Sequence, residues 1–311
     1  TKEKTLKRSN CASSNTMGLD PWIFINHKKI WVEKYGHGKP AVILLNGGGE
    51  TTREWNNNIP IIAKYTTIIA YDRIGLGLSD TINYRVRSAK NIISRLRYVL
   101  HKIGVKPPYI LVAHSIGGLY LSYFARKYPN EIAGLVTIDT NNQFQVDLYK
   151  ADISRIKRVT HSDIVKAMRH PVHLMEVTQQ AKYFLRLKHL SAKQHAKLIE
   201  DLEVMGKPAS VKQIQALGKL PHVPLIALTE GKNQPLWHNT IRQFADLVPC
   251  SIYRFVPNSS HHIMIDQAKV VNMAIRMVVM AARNKQSLCY SVNLPKVRQF
   301  KTGINLLFCS K

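Results

Sequence analysis

The chain has 311 residues, 45% of them apolar, so it can bury a large core, and it fits one domain with an insertion better than two independent domains. The formal net charge of +26 predicts attraction to polyanions or anionic membrane surfaces and would favour substrates with acidic groups. No apolar stretch approaches about 18 residues without a charge, which argues against a membrane-spanning helix.

The cysteines and the first residues bear on redox state and cellular location. The four cysteines are scattered, without a Cys-x-x-Cys spacing, so they suggest neither a disulfide framework nor a zinc site, and reduced thiols are expected. Residues 1–15 are polar and lack the apolar centre of a signal peptide, so a cytoplasmic location is expected; a removed leader is the alternative, because the first residue is Thr1 rather than methionine. The cysteines are Cys11, Cys250, Cys289 and Cys309.

Strand and helix patterns alternate in the first part of the chain. Residues 1–20 are expected to be a disordered basic tail, and residues 22–35 are expected to form a hairpin. Residues 41–45 and 67–71 are short apolar runs typical of buried strands, and each is followed by a glycine-rich loop. Residues 88–104 have apolar side chains at helical spacing and end in glycine. This alternation predicts a parallel sheet.

A sharp turn from strand to helix is predicted at Ser115. An apolar run that begins at residue 109 leads into it, and Gly117 follows two residues later. A serine hydroxyl is a poor nucleophile, so an enzyme holds it in an exposed, strained turn where a base and backbone N–H groups can reach it. Small residues are needed on both sides, and Ala113 and Gly117 meet that need. By itself, the pattern also fits an ordinary strand-to-helix turn.

The second part of the chain contains an insertion and then more strands. Residues 141–220 are rich in Lys, His, Gln and Met, and the segment shows helical spacing. This predicts a helical cap inserted between two parts of a core, residues 21–140 and 221–283. The remaining predictions are strands at 225–229 and 251–255, helices at 236–247 and 262–282, and a C-terminal extension at 284–311.

Four segments, in one order along the chain, are more specific together than any one alone. They are Leu45-Asn46-Gly47-Gly48, residues 71–79, residues 113–118 and residues 259–267. In that order they resemble the oxyanion loop, the loop after the fourth strand, the nucleophile elbow and the histidine segment of the α/β-hydrolase fold family. The resemblance implies an α/β fold with a mostly parallel central sheet flanked by helices. It also implies a serine hydrolase that cleaves a small carboxylic ester, with no cofactor.

The resemblance implies a catalytic triad with Ser115 as the nucleophile. The base is His261, because the pattern Ser-x-His-x-Ile aligns with the family segment there, whereas His262 is expected at the start of the last helix as a packing or surface residue. His114 precedes the serine and is expected to be a hydrogen-bonded structural histidine.

The acid departs from the family pattern. The segment at residues 231–234, after the seventh strand, contains no carboxylate, whereas Asp139 directly follows the sixth strand, where some relatives carry the acid. Asp139 is therefore predicted to orient the histidine. It could instead cap a loop, and Glu230, a Ser–His dyad or an inactive site are the alternatives.

Backbone N–H groups are expected to bind the oxyanion. The resemblance places them at Gly48 and Ile116. Asn46 replaces the histidine that is common in the family, which puts the geometry of this loop in doubt rather than its chemistry. Asp72 is interpreted as holding its own glycine-rich loop in place.

Other classes of function are weighed against the hydrolase. A phosphate loop is not supported, because the run after Asn46 lacks Gly-Lys-Ser/Thr, and a metal site is poorly supported, because His170 and His173 lack the glutamate and the helix of a zinc motif. Serine at position 115 argues against dehalogenase or epoxide-hydrolase chemistry, which uses aspartate there in this family. The expected partner is a small ester. The runner-up is an inactive protein of this fold that binds polyanions or anionic membranes through dispersed basic residues, without specific nucleic-acid recognition; a non-hydrolytic protein of this fold is the third class.

Overall fold

A computed structural model describes residues 21–80, 87–150, 192–232 and 235–289. Several sequence predictions lie outside these residues: the basic tail at 1–20, the cap between residues 151 and 191, the pair His170 and His173, and the extension from residue 290 onward.

Within the described residues, eight strands form one sheet in the order β1-β2-β4-β3-β5-β6-β7-β8. The first two pairings, β1 with β2 and β2 with β4, are antiparallel, and all the others are parallel. The predicted mostly parallel sheet is confirmed. The strands are β1 (Trp22–Ile25), β2 (Lys28–Tyr35), β3 (Ala41–Leu45), β4 (Ile68–Tyr71), β5 (Tyr109–His114), β6 (Ile132–Ile138), β7 (Leu225–Thr229) and β8 (Ile252–Phe255).

The helices expected at 88–104 and 236–247 are present as Ala89–Lys102 and Pro235–Ala245, whereas the short helix Ile59–Ile62 was not predicted. The helix expected over residues 262–282 is two helices, α7 and α8, because Gln267 between them has φ −129° and ψ 48°, which is not helical. In the described parts of the chain, no helix combines the length and apolarity needed to cross a bilayer. The helices are α1 (Ile59–Ile62), α2 (Ala89–Lys102), α3 (Gly117–Lys127), α4 (Ala192–Met205), α5 (Lys207–Gln215), α6 (Pro235–Ala245), α7 (Ile263–Asp266) and α8 (Ala268–Arg283).

The sheet separates two apolar layers. Successive side chains of a strand point to opposite faces, so Ile43 and Leu45 of β3 pack with helices α2 and α3, whereas Val42 and Leu44 pack with helix α8. Because helices cover both faces, the central strands are apolar at most positions rather than at alternate ones. This is why short continuous apolar runs mark them in the sequence.

The described end of the predicted cap segment consists of helices α4 and α5. Val211 and Ile214 of α5 are buried in the same apolar layer as α2 and α3. Helix α4 instead lies over the loops after β3 and β4, where Ile199 and Leu202 bury the side chain of Leu76. The limits of the cap at 141 and 220 stay a prediction.

The expectation of reduced thiols is wrong for two cysteines. Cys250 and Cys289 form a disulfide, with Cα atoms 5.2 Å apart and a separation of 39 positions in sequence. No short spacing marks this pair, because the fold brings together the start of β8 and the segment after α8. Disulfides are typical of proteins in oxidising compartments, so this bond does not support the expected cytoplasmic location, which stays a prediction.

Candidate active site

Ser115 lies in a strained turn between strand β5 and helix α3. Its φ of 51° is in the left-handed region, which a residue with a side chain adopts only when its surroundings enforce it. Two backbone hydrogen bonds do so: Ser115 N–H donates to the Ile138 carbonyl (3.3 Å), and Asn141 N–H donates to the Ser115 carbonyl (2.8 Å). A methyl group at Gly117 would collide with the carbonyl oxygen of Leu45, so glycine is required there.

The ends of three strands bring the predicted residues to one edge of the sheet. Ser115 follows β5, Asp139 follows the neighbouring strand β6, and His261 is in the loop between β8 and α7. In open parallel sheets, this carboxyl edge is where ligands bind.

His261 and Asp139 are in direct contact. His261 Nδ1–H donates to Asp139 Oδ2 at 2.6 Å, which leaves Nε2 of the same ring able to accept a proton. Burial disfavours the charged carboxylate, but the hydrogen bond and charge of His261, together with hydrogen bonds from Trp237 and the backbone of Glu230, hold the pKa of Asp139 below its ordinary value.

The other oxygen of Asp139 accepts three hydrogen bonds. The donors to Oδ1 are Thr229 Oγ1 (3.1 Å), the backbone N–H of Glu230 (3.1 Å) and Trp237 Nε1 (2.8 Å). Trp237 is the functional neighbour that sequence reasoning missed. No motif marks it, because it belongs to helix α6 and reaches Asp139 only through the tertiary fold.

The two neighbouring histidines have other partners. His262 Nε2 lies 3.5 Å from Glu50 Oε1 at the surface, so the structure brings His261, and not His262, to Asp139. His114 is buried and hydrogen-bonded through both ring nitrogens, as predicted. In the described part of the chain, no hydrogen bond joins Ser115 Oγ to His261; such bonds often tighten only when substrate is bound.

Two buried glutamate side chains hold the loop after β3. Glu54 Oε1 accepts the N–H of Gly47 (3.0 Å), and Glu203 Oε2 accepts the N–H of Gly49 (3.2 Å). The N–H of Gly48 lies between them and has no acceptor among the described residues.

Gly48 and Ile116 are neighbours in space. A methyl group at Gly48 would lie 3.7 Å from Ile116 Cγ2. The N–H of Ile116, like that of Gly48, has no acceptor within the described ranges. Ile116 directly follows Ser115 in sequence, and Gly48 packs against its side chain, so these two N–H groups are the candidates for an oxyanion hole.

A buried arginine, Arg73, also holds the loop after β3. Its Nη1 and Nη2 donate to the carbonyls of Asn46 (2.8 Å) and Gly47 (2.6 Å). The guanidinium also forms a bidentate ion pair with Glu203, with Nε to Oε1 at 2.6 Å and Nη2 to Oε2 at 2.8 Å, and both side chains are almost fully buried. Helix α4 is thus connected to the oxyanion loop through the side chain of Glu203, directly at Gly49 and by way of Arg73.

Asn46 replaces the family's histidine without leaving its side chain unpaired. Its Nδ2 donates to the carbonyl of Tyr71 (3.1 Å), and its Oδ1 accepts from Trp55 Nε1 (2.9 Å).

Asp72 has the structural role predicted for it. Its carboxylate accepts the N–H groups of Thr52 (2.8 Å) and Leu78 (2.9 Å), which holds the glycine-rich loop after β4. Among the described residues, no group of three or more His, Cys, Asp or Glu side chains is arranged to hold a metal ion.

Comparison with known proteins agrees with this architecture. A family model described as the alpha/beta hydrolase fold matches residues 40–268. The uncharacterized protein YbdG of Bacillus subtilis is 32% identical over 136 residues, and the match spans 43% of this chain but only 42% of YbdG.

Two solved structures are similar over most of their length. A thermophilic esterase from Thermogutta terrifontis superposes with a TM-score of 0.56 at 20% identity, covering 82% of this chain and 94% of the esterase. The epoxide hydrolase CorEH superposes with a TM-score of 0.57 at 18% identity, covering 83% and 96%. Proteins of different chemistry share this architecture, so the likeness shows the fold alone.

Proposed function

The chain belongs to the alpha/beta hydrolase fold family, and from this premise we propose that it is a serine hydrolase that cleaves small carboxylic esters or related acyl bonds through an acyl-enzyme intermediate. The observation that carries the proposal is the 2.6 Å hydrogen bond from His261 to Asp139, at the sheet edge where Ser115 occupies a strained turn. An oriented histidine and a strained turn that carries the serine are two of the features that an activated serine needs.

The proposed mechanism is that of a Ser-His-Asp triad. Ser115 Oγ attacks the ester carbonyl carbon while His261 Nε2 takes its proton, and Asp139 holds the ring in the required tautomer and stabilises the imidazolium. The N–H groups of Gly48 and Ile116 donate to the oxyanion that forms. The imidazolium then protonates the leaving alcohol. A water molecule, deprotonated by the same histidine, cleaves the acyl-enzyme and releases the acid.

A serine nucleophile favours acyl substrates over epoxides. Attack of Ser115 on an epoxide would give an ether, which has no acyl carbon for water to attack. Attack on an ester gives a new ester, which hydrolysis can resolve. The two free N–H groups support the same choice, because they would stabilise a tetrahedral oxyanion.

Replacement of Ser115 tests the proposal. Ser115→Ala should abolish both labelling by a fluorophosphonate probe and the burst of p-nitrophenol from p-nitrophenyl acetate, because the attacking oxygen is gone. Ser94→Ala is the matched control: Ser94 is exposed on helix α2 and, among the described residues, its hydroxyl bonds only to the Lys90 carbonyl of its own helix, so labelling should be unchanged.

Two outcomes would contradict the proposal. One is labelling or a burst that survives in Ser115→Ala. The other is a folded wild-type protein that the probe does not label; if that protein also bound anionic vesicles in a salt-dependent way, the inactive binding protein would be favoured.

A further inference from the structure

Glu54 and His114 form a buried pair of side chains next to the proposed active site. Glu54 is in the short 3-10 helix Thr52–Trp55, and its Oε2 lies 2.8 Å from His114 Nδ1. Both side chains are about 1% exposed. Neither takes part in the proposed chemistry, and a buried acid and base in contact need an explanation.

The pair contacts three of the four loops that carry the proposed active site, those of Gly48, Ser115 and His261. Glu54 Oε1 accepts the N–H of Gly47, which precedes the oxyanion donor Gly48. His114 directly precedes Ser115, and its Nε2 lies 3.1 Å from the backbone carbonyl of His261. One hydrogen-bonded chain therefore runs from the oxyanion loop through the elbow to the histidine loop.

The hydrogen-bond pattern restricts where the proton is. A carbonyl oxygen only accepts, so His114 Nε2 must carry a hydrogen to bond to His261. If the ring is neutral, Nδ1 is then an acceptor, and Glu54 must donate to it as a carboxylic acid. The other arrangement is an imidazolium beside a carboxylate.

Burial favours the neutral arrangement, because both partners lose hydration in this site. Burial raises the pKa of Glu54 to about 8 and holds the pKa of His114 well below its ordinary value. Charged groups on the surrounding elements act in both directions: Glu50 raises the pKa of Glu54, Arg73 and His262 lower it, and His261 and Asp139 act on His114.

We propose that Glu54 is a positioning residue that is protonated at neutral pH. Its proton, donated to His114, keeps the oxyanion loop, the nucleophile elbow and the histidine loop in their relative positions. This inference rests on the proposed function for its effect on catalysis, but the position of the proton does not depend on it.

The pair should make catalysis fail at alkaline pH. The folded-state pKa of Glu54 is raised, so its contribution to stability is complete below its unfolded value, near 4.5, and is lost as pH rises to about 8. Once Glu54 is a carboxylate, the His114 hydrogen must move to Nδ1 to meet it. The bond to the carbonyl of His261 is then lost, and kcat should fall.

Glu54→Gln and Glu54→Leu separate this role from simple space filling. The glutamine amide can donate to His114 Nδ1 and accept from Gly47 N–H, as the protonated acid does, but it does not titrate. At pH 7, kcat/KM of Glu54→Gln should exceed that of Glu54→Leu by about tenfold or more, the effect of one lost buried hydrogen bond. The alkaline fall of wild-type kcat near pH 8 should be absent from Glu54→Gln.

Glu131→Gln is the matched control, because Glu131 pairs with Arg97 at the surface. Its pH profile should keep the wild-type alkaline fall. The proposal is overturned if Glu54→Gln and Glu54→Leu have equal kcat/KM, or if the alkaline fall persists in Glu54→Gln.

The tautomer of His114 tests the proton directly. In protein labelled with ¹⁵N-histidine, with the resonance assigned by difference from His114→Gln, the neutral Nε2–H form should dominate at pH 7. It should convert to the Nδ1–H form above about pH 8 in the wild type, but not in Glu54→Gln. An imidazolium or an Nδ1–H ring at pH 7 would refute the proposal. A failed serine hydrolase assignment would show instead as missing fluorophosphonate labelling, with this tautomer unchanged.

Discussion

The hydrogen bonds of Asp139 fit two roles, the ordering of a loop and the orientation of His261. It has a positive φ of 46°, it is buried, and its two oxygens together accept four hydrogen bonds. Three of these bonds would suit an aspartate that only orders a loop. The fourth, from His261, is the one that a catalytic role requires.

Asp139→Asn separates these roles at the residue scale. The amide would favour the wrong tautomer of His261 and could not stabilise the imidazolium, so kcat should fall on the order of 10⁴-fold, as the same change does in a Ser-His-Asp protease. Glu230→Gln is the control, because Glu230 reaches Asp139 through its backbone N–H, which the substitution keeps. The measurement is turnover per folded molecule.

A loop-ordering aspartate would give a different result. Its replacement would lower the free energy of unfolding by about 1 kcal/mol while kcat of the folded fraction stayed near the wild-type value. That outcome would remove Asp139 from the proposed triad.

At the scale of elements, helix α4 is joined to the sheet edge by the ion pair of Glu203 with Arg73. The pair is buried on both sides, so its stability depends on each charge having its partner. It also connects a helix of the predicted cap segment to the carbonyls of the oxyanion loop.

Glu203→Gln should therefore be costly. It leaves Arg73 buried without a partner of opposite charge, and the free energy of unfolding should fall by about 3–5 kcal/mol in urea titrations. Glu131→Gln, which removes the carboxylate of a partly exposed pair with Arg97, should cost only about 0–1 kcal/mol. Equal losses in the two variants would show that burial of the Arg73 pair does not matter.

At the scale of the whole molecule, the disulfide between Cys250 and Cys289 links the segment before β8 to the segment after α8. The bond encloses strand β8, the His261 loop and helices α7 and α8. The net charge of +26 is also a property of the whole chain, and the attraction to polyanions expected from it stays a prediction.

Removing the disulfide should lower stability and leave the chemistry intact. For a loop of this length, Cys250→Ser with Cys289→Ser should lower the free energy of unfolding by about 3–4 kcal/mol, because the unfolded chain regains freedom. A reductant should destabilise the wild type by a similar amount and the double variant not at all. Sensitivity of the double variant to reductant would show that another bond is responsible.

The sequence by itself determined the features that depend on neighbouring residues. The strands β3 to β7 are mostly apolar because helices cover both faces of the sheet, and the turn at Ser115 needs small residues within two positions of it. The break at Gln267 was missed, because neither proline nor glycine marks it. The family resemblance extended this local information to His261 and suggested Asp139.

Only the tertiary structure decided which of these residues meet. His261 and Asp139 are 122 residues apart, and Arg73 and Glu203 are 130 apart, so their contacts depend on the order of the strands and the path of the chain. The same holds for Glu54 with His114, for Trp237 with Asp139 and for the disulfide. Burial, which raises the pKa of Glu54, is likewise a property of the packed core and leaves no periodic pattern along the chain.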